Sequence, residues 1–362
     1  MRPSRLLAPL ALSLILLTAC STPYRPAVVV RDSAPFPGIA GVIAADKSRP
    51  VDVILVHGIC THDASWAEKT IAQVAGIVEA HAPRAAAAAG NGIQLVERTE
   101  QVAGGTVRFH AIVWSPMTAS LKHQLDYDNT GTPTDCATDT VCKPKRARFN
   151  GVVKDWLLND CLSDAMIYEG VSHEAIRDAL VDTVSRVIEA NPNDAGTLVV
   201  VAQSIGSKMM FDTLSSMLES NQPRTQQLGQ QAVRRLGLIF MAGNQMPILG
   251  LAEQNLVARA MPAQDALQHF LDLRRRQAAP RSGAVSRLGV VAFTDPNDLL
   301  SYRLLPARYT APDVAVADVM VSNARTWFGL IENPLAAHLN YLENPDVDAL
   351  IACGYPKLAG CR

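Results

Sequence analysis

The stretch from Thr197 to Phe211 constrains the fold more than any other part of the chain. Leu198-Val199-Val200-Val201-Ala202 is a β-branched apolar run that starts after Ala195-Gly196, the pattern of a strand buried on both faces, and beyond Ser204 the apolar residues fall at helical spacing. Ser204 therefore stands on the corner between a strand and a helix. Such a corner forces its backbone into a sparsely populated conformation, costing about 1–3 kcal/mol, and holds the hydroxyl clear of the sheet. Small residues are required two positions to either side, and Ala202 and Gly206 occupy them. Further buried-strand patterns occur at Asp52–Val56, Val107–Trp114, Leu236–Met241, Leu288–Thr294 and Val316–Val321. Between them lie helical patterns over Ser65 to about Ala82, Ser172–Glu189 and Asp265–Arg276, the first opened by the capping spacing of Ser65 and Glu68, the second by Ser172. This alternation predicts an α/β fold with a mostly parallel central sheet flanked by helices.

The remainder supplies fewer elements. Ala85–Ala89 with Gly90-Asn91-Gly92 read as a surface excursion. Residues from about 115 to 171, polar at first and helical through Trp156, Leu157, Leu158 and Tyr168, read as a cap-like insertion after an early strand. Residues 51–362 are then one large domain. With 48% hydrophobic residues, 19% charged and a formal net charge of -1, the chain carries no strong overall field, which argues against a nucleic-acid partner. The basic cluster Lys143, Lys145, Arg146 and Arg148 and the triplet Arg274, Arg275 and Arg276 read as solvated faces. Neither metal-ligand spacing nor a phosphate loop nor a dinucleotide fingerprint is present, so no cofactor is expected.

The beginning of the chain is an address rather than part of the fold. Arg2 and Arg5 precede an apolar run from Leu6 to Leu17, too short to span a bilayer but suited to a secretory signal. It ends in Leu17-Thr18-Ala19-Cys20, which resembles the lipobox of bacterial lipoproteins. The resemblance implies a signal peptide over 1–19, acylation of Cys20, and a lipid-anchored protein of the cell envelope. Ser21, in place of an aspartate, implies the outer membrane, facing the periplasm. Residues 20–50, rich in Pro, Gly, Ala and Ser, read as a tether lying along the body, with Val28-Val29-Val30 as an edge strand. Export makes disulfides the default for the six remaining cysteines. Short loops favour Cys353 with Cys361 and Cys136 with Cys142, leaving Cys60 with Cys161; a free, reactive Cys60 is the alternative.

The corner at Ser204 resembles the nucleophile elbow of the α/β-hydrolase family, with Ala202 in place of the first glycine. His57-Gly58, directly after the Asp52–Val56 strand, resembles the His-Gly with which the family's first core strand commonly ends. The resemblance implies that the Ile59 and Ile205 amides are oxyanion donors. The order nucleophile, acid, histidine is matched by Ser204, Asp298 and His338, with Asp295 as the other candidate acid. His338 is the only histidine downstream of either aspartate, and His57 reads as structural. Asn244 and Gln245 end a strand where they either touch substrate or cap a turn. The resemblance implies a serine hydrolase cleaving a carboxylic ester, lipase-like or esterase-like, on an acyl-ester or lipid substrate. An acyltransferase with the same triad, or a non-catalytic lipoprotein binding lipid or a partner through the same pocket, are the alternatives.

Overall fold

A computed structural model describes residues 20–77, 86–90, 92–102, 104–131, 133–134, 142–143, 145–190, 196–254, 264–277 and 287–361. The expected leader, residues 1–19, lies outside them. The strands are Cys20–Ser21 (β1), Val28–Val29 (β2), Val51–Val56 (β3), Ala86–Gly90 (β4), Ile93–Val102 (β5), Gly105–Val113 (β6), Leu198–Gln203 (β7), Leu236–Ala242 (β8), Leu288–Thr294 (β9), Val314–Met320 (β10) and Thr326–Trp327 (β11). Nine of them form one sheet in the order β2-β10-β9-β8-β7-β3-β6-β5-β4, and β1 pairs separately with β11. The stretch from β10 to β6 is parallel throughout, while β2, β5 and β4 run antiparallel to their neighbours. The chain thus adopts the expected mostly parallel α/β architecture.

Parallel strands covered on both faces need apolar side chains on both. In β3, Ile54 and Val56 enter one core while Val53 and Leu55 enter the other, and β7 divides Val200 and Ala202 from Val199 and Val201 in the same way. Helices His173–Glu189, Gly206–Glu219, Pro223–Arg235 and Ala266–Gln277 cover the first face; helices Gly38–Ala45, Ala64–Ile77 and Pro345–Cys353 cover the second. From β3 the chain passes to the sheet edge at β4 and returns inward through β5 to β6 beside β3, then crosses to β7 and builds the other way to β10. β3 and β7 are therefore the switch point, where a crevice opens at the carboxyl ends of the strands.

Two expectations change. The segment read as a surface excursion is a hairpin: β4 and β5 pair from Ala86↔Glu97 to Gly90↔Ile93, and Gly92 takes φ 78°. Polar residues of β5 such as Gln94, Glu97, Arg98 and Gln101 hide its strand periodicity. Asp63, rather than Ser65, caps the helix from Ala64, its carboxylate accepting the Ser65 N–H at 2.8 Å. The stretch 20–50 lies against the body, with β2 on the sheet edge and Ile39, Val42 and Ile43 of its helix buried. The insertion between β6 and His173 is helical from Arg148 to Glu169, a π-helical run over Val153–Leu162 included.

Candidate active site

Ser204 follows the last residue of β7 with φ 56°, in the left-handed region, and its N–H donates to the Ala242 carbonyl of β8 at 2.7 Å. The helix from Gly206 begins at once, so the side chain is held at the corner. Two glycines make the corner possible. A Cβ on Gly206 would stand 2.7 Å from the His57 carbonyl, and one on Gly58 would stand 2.4 Å from the Ser204 Cβ. The loop after β3 thus leans directly on the serine, and Gly58 is needed for that close approach. The positive-φ turn of this loop falls at Cys60, with φ 79°.

The loop after β9 delivers Asp298, and helix Pro334–Leu339, N-capped by the Asn333 side chain, delivers His338. His338 Nε2 lies 3.1 Å from Ser204 Oγ, and its Nδ1 lies 2.9 and 3.0 Å from the Asp298 carboxylate oxygens. All three residues are buried. Burial pushes the Asp298 carboxyl up, but the His338 hydrogen bond and charge, the Leu300 N–H and the Tyr341 hydroxyl together hold it below its ordinary value. Asp298 is therefore a carboxylate fixed behind the imidazole. Asp295 faces elsewhere: its carboxylate accepts the N–H groups of Asn297 at 2.9 Å and Asn323 at 2.6 Å. Tyr341, fully buried, donates to Asp298 Oδ2 at 3.0 Å and accepts the Asp295 N–H at 2.8 Å. The sequence pattern gave no sign of it, because its partners lie more than forty residues away.

His57 is held as a structural group. Its Nδ1 donates to the Gly58 carbonyl at 2.8 Å, its Nε2 accepts the Trp114 N–H at 3.0 Å, and the ring stacks on the Trp114 indole. Burial drives its pKa well below the ordinary value, so it stays neutral. The amides of Ile59 and Ile205 have no hydrogen-bond acceptor among the described residues. Cys60 is joined to Cys161 of the insertion, and the neighbouring Thr61 bonds Asp160, whose carboxylate also holds Lys122 Nζ at 2.8 Å. Cys353 is joined to Cys361; Cys142 is disulfide-bonded, and its expected partner Cys136 lies outside the described residues.

Beside the triad opens an apolar cavity of about 90 Å³, walled by Ile59 and the Cys60–Cys161 bridge, by Trp156 and Leu157 of the insertion, and by Leu299 and Leu335. No family model matches the chain, and no curated protein is significantly similar to it. A strained serine, an imidazole within hydrogen-bond reach and a buried carboxylate behind it form an arrangement in which the imidazole can accept the hydroxyl proton while the carboxylate holds its tautomer. Asn244 caps a turn, its Oδ1 accepting the Met246 N–H at 3.1 Å and its Nδ2 donating to Tyr302. Gln245 is buried too, with no partner for Oε1 among the described residues. Among those residues no cluster of three His, Cys, Asp or Glu is placed to hold a metal, and no helix is long and apolar enough to cross a membrane.

Proposed function

We propose that the chain is a lipid-anchored serine hydrolase of the α/β-hydrolase type that cleaves carboxylic esters. The observation that carries this reading is the continuous chain from Ser204 Oγ through His338 to Asp298, built on a serine with φ 56°. Ser204 Oγ attacks the acyl carbon, its proton passes to His338 Nε2, and the carbonyl electron pair moves onto oxygen. The Ile59 and Ile205 amides receive that oxyanion. Collapse expels the alcohol, which takes the proton from Nε2, and leaves an acyl-enzyme. Water, deprotonated by the same nitrogen, then releases the acid and restores Ser204. Throughout, Asp298 keeps Nδ1 protonated and stabilises the imidazolium.

The apolar cavity supports an assignment of the acyl group. Its volume of about 90 Å³ supports a short acyl chain rather than a long one. The sequence leader supports placement at the bacterial outer membrane through acylated Cys20. A fluorophosphonate probe should label the wild type and leave Ser204→Ala unlabelled, and a graded ester series should show short acyl chains cleaved faster than long ones. An unlabelled wild type would remove the hydrolase; faster cleavage of long chains would remove the size assignment alone.

A further inference from the structure

Between β10 and the helix that carries His338, the chain makes a short hairpin that folding alone does not account for. β11 pairs back through Trp327↔Ile331, with the Trp327 N–H donating to the Ile331 carbonyl at 2.8 Å. Leu330 N–H closes the turn on the Trp327 carbonyl at 2.9 Å, with Phe328 at φ 53° and Gly329 at φ 65°. Both central residues in the left-handed region make this a type I′ turn, which ordinarily carries Asn or Asp before the glycine. Here a phenylalanine takes that strained position and yet remains 54% exposed. Trp327, Leu330 and Ile331 are exposed as well, Leu330 by 87%, and a Cβ on Gly329 would meet nothing within 4 Å. Scattered exposed apolar residues are ordinary; four on one projecting turn form a contiguous patch of the kind that covers or enters another apolar phase.

The position of the hairpin says which phase. The carboxyl end of β10 lies on the same rim as Ser204, and the hairpin base is tied to the acid loop, where Asn297 Nδ2 donates to Glu332 at 2.7 Å. Leu299, on that loop, is 71% exposed and also walls the acyl cavity. The chain's amino end comes to the same point. Cys20 pairs with Trp327, Ser21 with Thr326, and the two hydroxyls of the latter pair meet at 2.6 Å. An anchor on Cys20 therefore leaves the body within a residue or two of the exposed turn. Tryptophan is the side chain that favours the boundary between headgroups and acyl chains, and Arg325, exposed at the hairpin base, suits anionic headgroups.

We infer that the Trp327–Ile331 hairpin inserts into the bilayer that holds Cys20, turning the Ser204 rim toward the membrane, so that the substrate is an acyl ester of a membrane-resident alcohol. This rests on the reading of Cys20 as the lipid-bearing residue and of Ser204 as the nucleophile. The test uses the full-length lipoprotein in vesicles of phosphatidylethanolamine and phosphatidylglycerol with brominated acyl chains. Bromine should quench a part of the tryptophan emission that is missing in Trp327→Phe; equal quenching in both proteins overturns the insertion. The doubly substituted Phe328→Asp, Leu330→Asp protein should hydrolyse a water-soluble short-chain ester at the wild-type rate. On a short-chain ester of a fatty alcohol dissolved in the vesicles it should fall about tenfold or more, the expected loss from burying two large apolar side chains. Unchanged rates on both substrates overturn the orientation. A dimer in detergent that this variant dissolves would assign the patch to a second copy instead. Quenching needs no catalysis, so insertion fails or stands separately from hydrolysis.

Discussion

At Gly58 a single hydrogen in place of a side chain decides whether the site can assemble. The residue lies against Ser204, and an added Cβ would stand 2.4 Å from the serine Cβ and 2.9 Å from the Gln203 carbonyl, too close for either to absorb without backbone movement. Ser204 is itself held in a strained conformation, so the displaced group is the one whose hydroxyl must stay 3.1 Å from His338 Nε2. Gly58→Ala should therefore fold, with a modestly lower Tm, while ester hydrolysis falls about a hundredfold, the size of loss that follows a misplacement of about 1 Å at a reacting group. Hydrolysis and fluorophosphonate labelling, compared with circular dichroism of the same preparation, check this. A variant within about threefold of wild type would show that the loop relaxes around the methyl group. Tyr341 acts at the same scale by different means. Its hydroxyl joins the Asp295 amide to the Asp298 carboxylate, so one side chain sets both the course of the acid loop and the orientation of the acid.

Elements bring these residues together, and the insertion contributes more to the site than its polar sequence implies. Its π-helical run walls the apolar cavity with Trp156 and Leu157, and Cys161, Asp160 and Lys122 grip the loop from Cys60 to Thr61, directly beside the Ile59 amide. Closing a loop of 101 residues, the Cys60–Cys161 bridge should contribute about 2–4 kcal/mol to stability. Replacing both cysteines with serine should lower the stability by that amount and, by freeing the Ile59 amide, lower kcat more than KM. Replacing Cys353 and Cys361, on the opposite face of the sheet, should leave kcat unchanged. Denaturation and steady-state kinetics on the two double variants test the contrast. What the sequence made legible follows from where its signals are local. Ser204, Asp298 and His338 each sit at the end of a strand or on a short helix whose own pattern marks it, and their order along the chain could be read directly. Asp298 was separable from Asp295 only as the better of two candidates, because the carboxylate that faces His338 is decided by Tyr341 and Asn323, distant in sequence. The β4–β5 hairpin stayed hidden because charged and amide side chains interrupt its alternation. The role of Gly58 stayed hidden because glycine looks the same whether a turn or a close neighbour requires it.

The whole molecule separates the Ser204–His338–Asp298 cluster at one end of the sheet from an ionic framework at the other. Asp52, at the amino end of β3, receives Arg108 through Nε at 2.6 Å and Nη2 at 2.9 Å, His110 at 3.2 Å, and Arg235 from the end of a helix across the sheet. Burial pushes its carboxyl up, but the His110 and Arg108 hydrogen bonds and the Arg235 charge bring it to about 2, so this framework is retained above an ordinary 3.8 and lost only as pH falls through about 2. Asp348 behaves in the opposite sense. It lies buried on helix Pro345–Cys353 with no hydrogen-bond partner for Oδ1 among the described residues, and burial, then the nearby Glu343 charge, raise it from 3.8 to about 7. Because the folded state holds this proton more tightly than the unfolded chain, its contribution is fully present below pH 3.8 and is lost as pH rises through about 7. Above that, folding must bury an uncompensated charge, whereas asparagine fits the same space without one. Asp348→Asn should therefore melt close to wild type below about pH 4 and increasingly above it as pH rises toward about 7, with the gap level beyond the folded-state pKa of about 7. Paired melting curves over that range measure the gap, and a constant difference would place the titration elsewhere. Ester hydrolysis should be unchanged by the substitution, since Asp348 belongs to the helix layer behind the sheet and touches none of Ser204, His338 or Asp298.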